Sequence, residues 1–180
     1  MEDLSLHILD IAENSLSAGA SKIEIFIKED TSEDLLILEV RDNGMGMDEE
    51  LLKATDPFFT TKTVRKVGLG IPLLKQAAED CDGGLSIYSE KGKGTTITAR
   101  FRLSHIDLKP MGDLGATIMV LIAGNPDVNF ILEYNRDKRT FRFDTEEFMA
   151  VLGDIPINLP AILKVIRENI NEGIRDLKNG

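Results

Sequence analysis

A β-rich apolar run, Leu35-Leu36-Ile37-Leu38-Glu39-Val40, passes directly into Arg41-Asp42-Asn43-Gly44-Met45-Gly46-Met47. No other stretch constrains the fold as tightly. The run reads as a strand, and a strand must find a neighbour and a face to bury. It delivers Asp42 to the end of a sheet, where Gly44 and Gly46 let the backbone turn with no side chain between it and a ligand. A carboxylate held there can accept a hydrogen bond from an exocyclic amine such as that of adenine. Asp-Asn-Gly is equally ordinary turn chemistry, so the flanking sequence has to decide.

Residues 3–18 read as a helix. Leu4, Ile8, Ile11 and Ser15 recur at helical spacing, Leu6, Leu9 and Leu16 lie beside them, and Gly19 stops the run. Asp10 and Asn14 are four apart and share a face. A carboxylate beside an amide oxygen suits a hard cation such as Mg²⁺ and a water near it. Two solvated polar residues on an amphipathic helix are the plainer alternative. Residues 21–28 read as a half-buried strand, with isoleucine at every second position from Lys22 to Ile27, and the polar turn 29–34 joins it to 35–41 as a hairpin.

Asp48 caps a short predicted helix to Ala54. The irregular stretch 56–67 carries Thr60, Thr61, Lys62, Thr63, Arg65 and Lys66. A loop so composed can close over phosphates, its cations offsetting their charge. Gly68-Leu69-Gly70 precedes a helix opened by Ile71-Pro72 and closed by Gly83-Gly84. Proline is tolerated in that first turn, and free N–H groups at a helix start attract phosphate. No Gly-x-x-x-x-Gly-Lys-Ser/Thr occurs, which excludes a P-loop. Residues 85–89 and 95–102 read as strands across a glycine-bearing turn at 90–94. Helix, two strands, loop, helix, two strands predicts an α+β fold, a two-layer α/β sandwich with helices on one face of a largely antiparallel sheet.

Composition narrows the setting. A chain of 180 residues fits one domain or one domain with an appendage. No apolar run approaches the ~20 residues that span a bilayer, and Met1-Glu2-Asp3 lacks the positive flank of a signal peptide. The single Cys81 can form no internal disulfide, and no Cys/His cluster has metal-ligand spacing. A cytoplasmic protein with no membrane partner is expected. A net charge of -10 argues against a nucleic-acid surface, which makes the local cations from Lys62 to Lys66 the natural counterpart of a polyanionic ligand.

Taken in order, these segments resemble the ATP-binding domain of the histidine-kinase-type ATPases, the GHKL or Bergerat-fold superfamily. Its members include DNA gyrase, MutL, the heat-shock chaperone of the same fold and the anti-sigma-factor serine kinases. Residues 13–20, Glu-Asn-Ser-Leu-Ser-Ala-Gly-Ala, resemble the N box in its MutL-type wording. Asp42-Asn43-Gly44-Met45-Gly46 resembles the first glycine box, Asp56 to Lys62 the F box, Gly68-Leu69-Gly70 the second glycine box, and residues 92–96 the closing glycine-threonine turn. The likeness covers residues 4–103 and implies ATP or ADP with Mg²⁺ as ligands. It implies Asn14 as the Mg²⁺ ligand, Asp42 as the acceptor for the adenine amine, Gly46 as the glycine backing it, and Gly44 as a further nucleotide-binding residue. Gly68, Leu69 and Gly70 would supply backbone donors to the phosphates and Lys62 a lid cation. Thr96 lies at or near the threonine that supports adenine through water.

One position departs from the pattern. Members that hydrolyse ATP carry a glutamate one turn before the asparagine, and here that position is Asp10, with one methylene less reach. No helical hairpin with a phospho-acceptor histidine precedes the first helix, so a complete sensor kinase is not expected. His7 and His105 read as structural or surface residues rather than acceptors.

The resemblance divides the chain into an ATP-binding domain, residues 1–104, and a smaller C-terminal α+β extension, residues 105–180. In the extension, 116–123 reads as a β-rich apolar run, and 129–134 with 139–143 as two further strands. Asp144 opens a helix through Leu152, and Asn158 or Leu159 opens an amphipathic helix to Leu177. Three functions follow from the resemblance. The first is an ATP- and Mg²⁺-dependent protein that phosphorylates a partner or regulates its grip on one, with anti-sigma-factor serine kinases as the nearest free-standing model. The second is a slow ATPase driving dimerisation as in MutL, and the third a non-catalytic nucleotide sensor. The partner or phospho-acceptor stays unidentified, and homodimerisation stays open.

Overall fold

Six strands pair edge to edge into one sheet, and the alternation of apolar residues along them decides which face the helices cover. The computed structural model of the protein describes residues 2–54 and 69–180. The elements run α1 (Leu4–Ser17), β1 (Lys22–Asp30), β2 (Leu35–Asp42), α2 (Glu49–Ala54), α3 (Gly70–Asp80), β3 (Gly84–Glu90) and β4 (Gly94–Arg102). They continue with α4 (Leu114–Gly124), β5 (Asn129–Arg136), β6 (Arg139–Asp144), α5 (Thr145–Leu152) and α6 (Pro160–Asn179). The strand order is β3-β4-β2-β1-β5-β6. Every neighbouring pair is antiparallel except β1 with β5, which is parallel.

Successive strand residues point to opposite faces. Ile23, Ile25 and Ile27 of β1, Leu36, Leu38 and Val40 of β2, and Ile97, Ala99 and Phe101 of β4 therefore share one face, continued by Phe130, Leu132 and Tyr134 of β5. All of them are buried. Helix α1 covers the centre of this face with Leu4, Ile8, Ile11 and Ala12, and α3 covers β3 and β4 with Ile71, Leu74 and Ala78. Helix α6 lies over β5 and β6, while α4 packs between α1 and α6. The other face carries Glu24, Lys28, Glu39, Arg41 and Arg100, a charged surface of the kind a two-layer sandwich leaves to water. The α+β, two-layer reading is the fold observed.

The stretch 116–123 departs from expectation. It lies within a helix, α4, and not a strand, so the extension contributes two strands and three helices. Its β-branched Thr117, Ile118, Val120 and Ile122 favour strands, and a buried helix and a buried strand look alike when most positions are apolar. The deciding signal is the cap: Asp113 accepts a hydrogen bond from the Ala116 N–H at 2.8 Å. Asp113 also accepts from Asn171 Nδ2 and from Arg167, both on α6, which locks the two helices together. Burial alone would raise its pKa, but these bonds outweigh that and hold its carboxyl below the ordinary value.

Candidate functional site

Strand register sets the floor of the site. Asp42 is opposite Thr95, and Thr95 is opposite Ser89, so the three form a row across β2, β4 and β3. Asp42 is two residues beyond Val40 and so faces the helical layer, beneath α1. There Ser15 Oγ donates to Asp42 Oδ2 at 2.6 Å, and the Gly44 N–H donates to Oδ1 at 2.9 Å. The carboxylate is thus oriented by the protein, with lone pairs left on both oxygens. Asn43 is turned away from it. Its Oδ1 accepts from the N–H groups of Ser21 and Lys22, each at 2.9 Å, pinning the glycine box to the start of β1.

Gly46 has φ +69, and a Cβ there would sit 2.1 Å from the Glu90 carbonyl oxygen. Only glycine fits that contact. The Gly92 N–H donates to the Met45 carbonyl at 2.6 Å, so the β3–β4 turn is clipped to the glycine box.

Between this floor and α1 lies a cavity of about 360 Å³. Ile11, Ile71 and Ile97 supply apolar walls, Met45 and Met47 border it, and Asn14, Ser15, Asp42 and Thr95 supply its polar groups. An apolar slot with few convergent polar groups is the form of a small-molecule site. Thr96 is placed differently: it pairs with Arg41 and Tyr88, and strand alternation turns it to the open face.

At one end of the cavity, α3 begins. Leu69 precedes it without a side-chain cap, and Gly70 and Ile71 are its first residues. The first helical N–H groups have no intrahelical partner, and such a helix start can bind an anion. Asp10 lies against it: a Cβ on Gly70 would meet Asp10 Cβ at 3.0 Å. Asn14 is one turn on along α1. Its Nδ2 is buried and makes no hydrogen bond among the described residues. Among those residues no group of three or more His, Cys, Asp or Glu is arranged around a metal position. Asn14 instead offers one hard amide oxygen, the donor that Mg²⁺ takes singly when phosphates and waters fill its other positions. The unpartnered Nδ2 beside it can donate to those oxygens. The residues present fit the ion.

The structure therefore sets Asn14, Asp42 and Gly46 in the lining of one cleft, with Gly44 bonded to Asp42 and Gly70 against Asp10 at the start of α3, preceded by Leu69, and it leaves Thr96 outside. Lys62, Gly68, the F-box stretch Asp56 to Lys62 and the basic residues to Lys66 lie outside the described residues. Three residues emerge that sequence reasoning did not assign: Ser15, Ser89 and Thr95. The register of β2 against β4 was the signal that could have found Thr95.

The two histidines take structural places. His7 is 3% exposed, and burial, then the N-terminal charge, lowers its pKa although Asp10 and Asp3 pull it upward. His105 Nδ1 accepts from the Asp107 N–H at 3.1 Å in the connector after β4. Cys81 is buried, which raises its thiol pKa and disfavours the thiolate.

Comparison with known proteins bears on this geometry. A family model described as histidine kinase-, DNA gyrase B-, and HSP90-like ATPase matches residues 2–105. The chain belongs to that family. A protein described as an NtrY-like sensor histidine kinase in Rickettsia bellii is 33% identical over 110 residues, covering 61% of this chain and 18% of the relative. Sporulation kinase E of Bacillus subtilis is 33% identical over 91 residues, covering 49% of this chain and 12% of the relative. The chain thus spans less than a fifth of these relatives. Among solved structures, the N-terminal domain of a DNA repair protein superposes with TM-score 0.54 at 15% identity, over 79% of this chain and 52% of that one. The Aquifex aeolicus MutL ATPase domain complexed with ADP superposes with TM-score 0.50 at 19% identity, over 84% and 69%. These two share the fold. The cleft just described lies in a GHKL-type ATP-binding domain.

Proposed function

We propose that this domain binds ATP with Mg²⁺ and uses the bound nucleotide to phosphorylate a partner protein or to regulate its hold on one, in the cytoplasm. The observation that carries the proposal is Asp42, set in the floor of an apolar slot with both oxygens oriented by Ser15 and Gly44. Adenine stacks between the apolar walls and donates its amine to Asp42, backed by Gly46. The phosphates lie toward α3, where the backbone of Leu69 and Gly70 meets them, with Gly68 and the lid residue Lys62 completing their surroundings.

Asn14 would hold Mg²⁺, which when bound would supply charge neutralisation at the terminal phosphates. Asp10, one turn earlier on the same face and against Gly70, is the base that takes a proton from the attacking hydroxyl or water. For a Ser, Thr or water nucleophile the proton passes to Asp10 as the oxygen attacks the γ-phosphorus, whereas a His acceptor attacks through its unprotonated ring nitrogen and needs no base there; in each case ADP departs with the bridging oxygen. The kinase names among the relatives favour transfer to a protein, with a Ser, Thr or His of the partner as acceptor.

The test is turnover of γ-labelled ATP with Mg²⁺ by the purified protein. Removing a general base lowers rates by about 10²–10⁴-fold. Asp10→Asn is therefore expected to lose at least 10²-fold in label released or transferred, with ADP binding retained. An Asp10→Asn protein as fast as the parent would remove Asp10 from the chemistry.

A further inference from the structure

Ser89, at the end of β3, makes three contacts through one oxygen. The Met47 N–H donates to Ser89 Oγ at 2.7 Å, Ser89 Oγ reaches the Gly94 carbonyl at 3.1 Å, and the Thr95 Oγ1 lies at 2.7 Å. A serine hydroxyl has one hydrogen and two lone pairs. The Gly94 carbonyl can only accept, and all three contacts are hydrogen bonds together only when it takes the hydrogen. The Met47 N–H can only donate, so it takes one lone pair. The lone pair that remains must be filled by Thr95, which makes Thr95 the donor.

The Thr95 proton is thereby committed to Ser89, and both lone pairs of its oxygen are left for the cavity that Thr95 lines. Its cross-strand neighbour Asp42 accepts only. We infer that Ser89 is a specificity-determining positioning residue. By holding the Thr95 hydroxyl as an acceptor, it makes the base-binding floor acceptor-only, so that the floor takes a 6-amino purine and opposes a 6-keto one. The inference rests on the reading of this cavity as the adenine site. A hypoxanthine base would set its carbonyl oxygen against a carboxylate and a hydroxyl that has no proton to offer, leaving a desolvated acceptor unpaired, and would keep only its N1–H to give where the adenine amine gives two hydrogens. Without Ser89 the Thr95 hydroxyl is free to rotate and present its hydrogen, and discrimination weakens.

The experiment is calorimetric titration of ADP and of inosine diphosphate, which differ at that position, into the full chain and its Ser89→Ala, Ser89→Thr and Thr95→Val variants. The parent is expected to prefer ADP. Loss of one oriented hydrogen bond is worth about tenfold in affinity, so Ser89→Ala and Thr95→Val are each expected to narrow the ADP preference about tenfold, and Ser89→Thr to restore it. A role confined to supporting the turn would weaken both nucleotides together and leave their ratio unchanged. An unchanged ratio in Ser89→Ala, with ADP still bound, overturns the inference. A parent chain that binds neither nucleotide overturns the adenine site and the inference with it.

Discussion

Asp42 accepts two hydrogen bonds from the protein itself, one from Ser15 on α1 and one from the Gly44 backbone. These fix the carboxylate plane, so a ligand amine meets an acceptor already aimed. A hydrogen bond to a charged group is worth roughly 1.5–3 kcal/mol. Ser15→Ala is accordingly expected to weaken ADP binding by about tenfold or more, read by calorimetry, while the nucleotide-free protein melts nearly as before. His7 makes a prediction in pH. Its folded pKa is depressed from 6.5, so the stability it contributes is complete above that value and is lost as pH falls through the lower folded one. A melting series from pH 7 downward is expected to decline, and His7→Leu to flatten the first part of that decline. Asp42, Asn14 and the glycines were legible from sequence because local spacing carries them. Ser15 was legible only as one position on a helix face, because the residue it serves is 27 positions away.

At the scale of elements, the start of α3 is where Asp10 and the first helix amides converge. Gly70 is in helical conformation, so alanine there suits the helix, but its Cβ would crowd Asp10 Cβ at 3.0 Å. Gly70→Ala is expected to lower nucleotide affinity, while in thermal stability its gain in helix propensity is opposed by the crowding of Asp10 Cβ on α1. Gly46→Ala belongs to the opposite class. With φ +69 and the Glu90 carbonyl 2.1 Å from the new Cβ, it is expected to cost at least about 2 kcal/mol in urea unfolding. The strands and α1 were legible because their apolar periods match their faces. Helix α4 was not, because it is buried on most sides and rich in β-branched residues, so its period carried no information. Its Asp113 cap did.

Across the whole molecule the sheet runs on past the family match, which ends at residue 105, into β5 and β6. The seam is parallel, β1 against β5, and no hairpin signal announces it: Lys22 pairs with Asn129 across the intervening chain. That is why an α+β extension was legible and its insertion beside β1 was not. Glu29 holds this region together. It is buried on β1 and accepts from the Tyr134 hydroxyl and from Arg136 at 3.0 Å on β5, with Lys178 of α6 at 3.9 Å. Burial, then the bond to Glu29, raises the Tyr134 pKa. Arg136 and Lys178 keep access to water, but Glu29→Ala leaves the buried Tyr134 hydroxyl without its acceptor, which is expected to cost about 1–3 kcal/mol in denaturant unfolding. Since α4 packs on α1, which carries Asn14 and Ser15, the same loss is expected to weaken ADP binding.

The most direct test of the nucleotide site is Asp42→Asn. The substitution keeps shape and removes the charge and one acceptor oxygen. Calorimetry with ADP and Mg²⁺ is expected to show binding by the parent chain and none by the variant, with the nucleotide-free melting curves of the two nearly superimposed. Parent-like affinity in Asp42→Asn, or binding lost only together with the fold, would contradict the placement of adenine on Asp42.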